Sequence, residues 1–65
     1  MMEYTNSQIR ELIEEYIHSL RDREILCDRL IDGRTFEWIA ERHDMSVRQT
    51  KNIVYKLQAK LFDHL

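Results

Sequence analysis

The sequence predicts a small all-α domain of four helices, and three observations carry that prediction. The 65-residue chain has no proline and a single glycine, Gly33, so a multi-stranded β domain would lack the residues for its tight turns. Charged residues make up 34% of the chain and are of mixed sign, which suits a soluble helical protein and not a disordered one. Four successive segments each combine a capping residue with apolar positions at helical spacing.

The first segment opens with Thr5-Asn6-Ser7-Gln8, the spacing of a capping box. Ile9, Leu12, Ile13, Tyr16, Ile17 and Leu20 then fall on one stripe, with Arg10, Glu11, Glu14 and Glu15 on the solvated side. The second segment begins near Ser19-Leu20-Arg21-Asp22, where Ser19 can accept from the Asp22 amide and Asp22 favours the positive helix start. Its expected buried stripe is Leu26, Cys27, Leu30 and Ile31, with Ile25 at the edge. Gly33 follows as a left-handed stop, since it lacks the Cβ that penalises that conformation.

The third segment is short. Thr35 is its expected N-cap, and Phe36, Ile39, Ala40 and His43 share a face. Asp44 stands where a left-handed residue is needed, a conformation that Asp tolerates better than most residues do. Met45 follows as an apolar plug. The fourth segment starts with Ser46-Val47-Arg48-Gln49, the strongest capping box in the chain. Val47, Thr50, Val54, Leu57 and Leu61 form its apolar stripe, widened by Ile53.

One domain spans residues 1–65, with no linker, repeat or low-complexity stretch. A chain this short buries only about 60% of its unfolded surface, so its core is thin. The single cysteine, Cys27, allows no internal disulfide and fits a reducing compartment. No apolar run approaches the roughly 20 residues that cross a bilayer, and the first residues, Met1-Met2-Glu3-Tyr4, lack the basic and apolar blocks of a signal peptide. A soluble protein without membrane contact is expected.

The third and fourth segments together, over about residues 35–62, have the sequence form of a helix-turn-helix: a short helix, a tight Asp44-Met45 turn and a longer capped helix. The small Ala40 lets the two backbones approach, and Ile39, Met45, Ile53 and Val54 fill the wedge between them. Charge is unevenly divided. Residues 1–45 hold 6 Arg and 11 Asp or Glu, whereas residues 46–65 hold Arg48, Lys51, Lys56 and Lys60 against Asp63 alone. Any nucleic-acid binding must therefore come from the fourth segment.

The helical wheel of that segment puts Arg48, Asn52, Tyr55 and Ala59 opposite the apolar stripe, with Gln49, Lys51 and Lys56 on the flanks. Arg donates in a fork to guanine, Asn and Gln pair with adenine, and Lys and Tyr hold phosphate. Early positions of a recognition helix reach base edges, which assigns Arg48, Gln49 and Asn52 to base reading and Lys51, Tyr55 and Lys56 to the DNA backbone. An ordinary wet polar face would use many of the same residue types. The short helix and turn in front favour the DNA reading.

Residues 20–61 resemble the C-terminal promoter-reading domain (region four) of bacterial sigma factors, especially the extracytoplasmic-function type. The matching landmarks are Arg23-Glu24-Ile25-Leu26, Gly33, Ile39-Ala40-Glu41, Ser46-Val47, Lys51 and Lys60-Leu61, spaced without gaps. The DNA-binding domain of LuxR-type response regulators is similar over the same stretch, with its Arg-Glu to Gly spacing about one residue different. The resemblance implies a last helix that reads the upstream promoter element and a domain that docks on the flap of RNA polymerase. It places Arg48, Gln49, Lys51 and Asn52 in the part that enters the major groove, and Thr35 with Arg34 at the helix start whose amides meet a phosphate.

The chain departs from that pattern at four positions. Trp38 replaces an acidic residue, His43 an aliphatic one, Asp44 the turn glycine and Thr50 a buried Val or Ile. The region that melts promoter DNA is also missing, so the resemblance implies a sigma-like regulator and not a complete sigma factor. A cytoplasmic, bacterial or phage-encoded setting fits, as on a phage or mobile element.

Trp38, Phe62 and Leu65 are candidate partner-binding residues. Trp38 is either an exposed aromatic anchor or a cover over the edge of the first two helices. Phe62 and Leu65 either cover the first helix or pair two copies in a homodimer. Cys27 reads as an ordinary buried thiol. His18, His43 and His64 lack the paired spacing of metal ligands, and no catalytic set, metal site or cofactor motif is recognisable. The expectation is a non-enzymatic protein without cofactor. It either reads double-stranded DNA to regulate transcription or docks on RNA polymerase or another regulator without reading DNA.

Overall fold

A computed structural model describes residues 4–63. Helix α1 (Asn6–Tyr16) is opened by the Thr5 capping box. The Gln8 amide donates to the Thr5 hydroxyl at 3.2 Å, and the Thr5 amide donates to the Gln8 side chain at 2.8 Å. Backbone donors left over at a helix start are thus satisfied locally, an effect worth about 1 kcal/mol. The helix stops at Ile17, which is extended at φ −112° and ψ 116°. Arg23 closes this end from outside: its side chain donates to the Ile17 carbonyl and, at 2.7 Å, to that of Glu14.

Helix α2 (Leu20–Leu26) starts at Ser19, whose hydroxyl accepts from the Asp22 amide at 3.4 Å. It runs into a widened π-type turn over Cys27–Ile31, closed by the Asp32 amide on the Cys27 carbonyl at 3.1 Å. Gly33 then takes φ 68°, and the Arg34 amide reaches back to the Asp28 carbonyl at 2.9 Å. This is the left-handed stop that the glycine predicts, a conformation unfavourable for any residue with a Cβ.

Helix α3 (Phe36–Arg42) is capped by Thr35, whose hydroxyl accepts from the Trp38 amide at 3.1 Å. Asp44 adopts φ 54° in the turn, and the Met45 amide donates to the Ala40 carbonyl at 2.8 Å. Helix α4 (Val47–Phe62) opens on the second capping box: the Gln49 amide donates to the Ser46 hydroxyl at 3.0 Å, and the Ser46 amide to the Gln49 side chain at 3.1 Å. A short helix, the tight Asp44–Met45 turn and a longer capped helix thus follow one another, and with α1 and α2 they make a small all-helical domain.

Two buried clusters hold the four helices. Ile13, Ile17, Leu26 and Leu61 join α1, α2 and the far end of α4. Ile25, Ile39 and Val54 join α2, α3 and the middle of α4, with Phe36, Met45 and Ile53 packed around them. Three expectations about the apolar stripes need correcting. Of the stripe Leu26, Cys27, Leu30 and Ile31 only Leu26 is buried, and the Cys27 thiol is half-buried, because this stretch widens into the π-type turn at the rim of the core. Leu20 belongs to no buried stripe and is 71% exposed, because α1 ends before it and a new helix begins there. Ile25 is no edge residue but is fully buried, because α2 is gripped on two sides, through Leu26 in one cluster and Ile25 in the other.

Thr50 is accommodated in the core without a stranded polar atom: its side chain is fully buried, and its hydroxyl donates to the Ser46 carbonyl at 2.9 Å. No helix among the described residues is long and apolar enough to cross a membrane.

Candidate nucleic-acid interface

The outward side of α4 follows from the burial of its other side. Thr50, Val54 and Leu61 are buried and Val47, Ile53 and Leu57 half-buried, which turns Arg48, Gln49, Lys51, Asn52, Tyr55, Lys56 and Ala59 to solvent. Arg48 and Asn52 are one helical turn apart, roughly 6 Å along the axis. Neither has a side-chain partner among the described residues. Gln49 differs. Its side-chain oxygen accepts from the Ser46 amide at 3.1 Å and lies 3.3 Å from the Ser46 hydroxyl, so the atom that would accept from adenine is held by the helix cap. Its amide nitrogen carries the free donors.

The flank of α4 meets the start of α3 at one aromatic ring. Tyr55 and Phe36 make an edge-to-face pair with centroids 5.8 Å apart and an interplanar angle of 69°. Lys51 Nζ lies 5.7 Å from the Phe36 centroid, and the Arg29 guanidinium 4.2 Å from it. Arg29 is also fixed by a bond from Nη1 to the Arg34 carbonyl at 2.9 Å. Arg29, which lies in the π-type turn, is not among the DNA-contact candidates that the sequence predicts. The available signal was Gly33, whose reversal folds Arg29 back onto Phe36 seven residues later.

Arg34 and Thr35 are exposed at the start of α3. The Arg34 guanidinium lies 4.5 Å from the centroid of Trp38, and that of Arg42 5.8 Å from it. Trp38 is 40% exposed and belongs to neither buried cluster. Arg42 is tied down in turn. Its Nη1 donates to both carboxylate oxygens of Asp28, at 2.6 and 2.8 Å, and His43 Nε2 lies 3.4 Å from Asp28 Oδ2. Asp28 is only 4% exposed, a buried carboxylate that the sequence reading missed, because helical periodicity does not reveal a polar position that finds its partner in another helix.

At the far end of α4, Phe62 is 50% exposed and borders an apolar groove of about 180 Å³ with Tyr4, Ile9, Leu12, Leu30 and Leu61. Leu65, the other candidate for this end, lies outside the described residues. Burial pushes the Cys27 thiol above its ordinary value; Arg10 pulls it down, and Asp28, Asp32 and Glu14 push it further up. A thiol so placed stays protonated at neutral pH and is a poor nucleophile. Among the described residues, no group of three His, Cys, Asp or Glu is placed to hold a metal ion.

The structure therefore brings the base-reading candidates Arg48 and Asn52 to one open face, with Lys51, Tyr55 and Lys56 beside them, and sets Trp38 and Phe62 apart on α3 and at the end of α4. Comparisons with protein-family models, with curated proteins and with solved structures find no match to the chain.

Proposed function

We propose that this protein is a sequence-specific DNA-binding regulator of transcription, sigma-factor-like, that inserts α4 into the major groove. The observation that carries this reading is the open face of α4, where Arg48 and Asn52 stand unpartnered, one turn apart, close to a firmly capped helix start. Those are the positions and side chains that reach base edges in a helix-turn-helix, and the face is flanked by groups suited to phosphate, Lys51, Tyr55 and Lys56. Arg34 and Thr35 at the start of α3 extend the backbone-binding side. Gln49 supports reading through its free amide donors, and use of its oxygen requires the Ser46 cap to open. A cytoplasmic regulator in a bacterium, phage or mobile element fits this role.

Selection of duplexes from a random pool, with the mass of the bound species measured, tests the proposal. One motif should be enriched, and the mass counts protomers per site, which also tests a homodimer formed through the Phe62 end. Arg48→Ala or Asn52→Ala should each weaken binding to the selected duplex by about 1–3 kcal/mol and relax its sequence preference. Unchanged binding by both variants sinks the assignment of this face.

A second reading has its own observation. Trp38, 40% exposed and stacked by Arg34 and Arg42, is a fixed aromatic surface of the kind that anchors protein contacts. In that reading the domain docks on RNA polymerase or another regulator. A polymerase pull-down that is lost in Trp38→Ala, with no duplex bound at low salt, decides for it.

A further inference from the structure

We propose that Arg29 and Lys51, gathered on the ring of Phe36, form a phosphodiester clamp beside α4 that extends the DNA contact beyond the helix-turn-helix. The inference rests on the DNA reading above and adds a contact from α2's π-type turn. Three side chains from two elements converge on one ring of α3: the Arg29 guanidinium at 4.2 Å from the π-type turn, and from α4 Lys51 Nζ at 5.7 Å and the Tyr55 ring at 5.8 Å from the Phe36 centroid. Both groups at the ring are cations, and the ring's quadrupole offsets only part of their mutual repulsion. No carboxylate among the described residues does the rest: the ion pairs of arginine lie at Arg21–Asp22 and Arg42–Asp28. An anion supplied from outside would complete the arrangement.

Arg29 is suited to hold one. Stacking on Phe36 and the 2.9 Å bond to the Arg34 carbonyl fix its plane, and that bond uses one donor of the five that a guanidinium carries. Little side-chain freedom is left to lose on binding, and a planar fork matches two oxygens of one phosphate. The partner is a DNA strand and not a free anion, because Lys51 and Tyr55 stand on the flank of the helix assigned to the groove, where the sugar–phosphate wall runs.

The test is the salt dependence of binding to the selected duplex and to a scrambled one, between 50 and 200 mM salt, for the full chain. Each phosphate contact contributes about 0.9 to the slope of log affinity against log salt. Arg29→Gln, which keeps a donor for the Arg34 carbonyl but loses the charge, should lower the slope by about 0.9 and weaken both duplexes by the same factor. Lys51→Gln, a change at an exposed position, should do likewise. Arg29→Lys should restore the slope, and Asn52→Ala should leave the slope alone while narrowing the gap between the two duplexes. Inorganic phosphate at millimolar concentration should displace neither duplex; displacement would assign the ring cluster to a free anion and overturn the clamp. A parent chain that binds duplex, with unchanged slopes in Arg29→Gln and Lys51→Gln, defeats the clamp and leaves the DNA reading standing. A parent chain that binds no duplex at 50 mM salt defeats both.

Discussion

Ile25 and Leu26 are neighbours in α2, yet they enter two different cores that are held in different ways. The core around Ile25, Ile39 and Val54 is surrounded by directional contacts. The Thr35 cap, the Ser46–Gln49 box, the Met45–Ala40 hydrogen bond and the Arg42–Asp28 pair, in which one guanidinium nitrogen serves both carboxylate oxygens, all bear on α3 or on the first half of α4. The core around Ile13, Ile17, Leu26 and Leu61 has the Thr5–Gln8 box and the Ser19 cap at its helix starts and Arg23 closing the end of α1. Among the described residues no ion pair joins its helices, and it is left with an open groove beside Phe62. Hydrophobic contact is non-directional, whereas hydrogen bonds and ion pairs fix angles. The half that presents Arg48 and Asn52 is the half in which an inter-helix ion pair adds angular constraint to the apolar packing.

The largest expected effect comes from the directional half. Ile39→Ala removes a fully buried side chain between α2, α3 and α4 and should cost about 2–5 kcal/mol in urea unfolding. A domain of this size has roughly 3–10 kcal/mol to lose, so the variant should be close to unfolded at room temperature. A loss under about 1 kcal/mol would mean that the wedge is not packed as described.

Asp28→Asn tests the polar tether. It keeps the shape but removes the charge facing Arg42, and should cost about 2 kcal/mol, reduced from a fully buried pair because Arg42 is half in water. Amide hydrogen exchange should quicken in α3 more than in α1. Equal quickening in both helices would erase the distinction between the two halves. The smallest effect belongs to the apolar end: Phe62→Ser, at a half-exposed position, should change monomer stability by no more than about 0.5 kcal/mol. A loss above 2 kcal/mol would show that the groove is a sealed part of the core.

What could be read ahead of the structure was what four or five consecutive residues decide. The Thr5–Gln8 and Ser46–Gln49 boxes, the Ser19 and Thr35 caps, Gly33 at φ 68° and Asp44 at φ 54° all lie where the residue types put them, because a cap or a left-handed turn is settled by the chain's immediate neighbours. The side of α4 that faces water was legible for the same reason: with apolar residues at Val47, Val54, Leu57 and Leu61, the opposite side has no core to enter. The Leu20 error came from letting the stripe run past the end of α1. Periodicity alone does not mark a helix end, and the Ser19 cap did.

Tertiary structure decided the rest. Whether Ile25 is edge or centre depends on how many helices touch α2. Asp28 is buried because the π-type turn and the end of α3 meet there, and Arg29 lies on Phe36 because Gly33 turns the chain back at one particular angle. Gln49 suits both the capping box and base reading, and the fold gives its oxygen to the box. Local chemistry determines where each helix begins, ends and turns its greasy side. The angles between helices determine which charges meet, and those angles are the joint result of every packed side chain, which no short stretch of sequence contains.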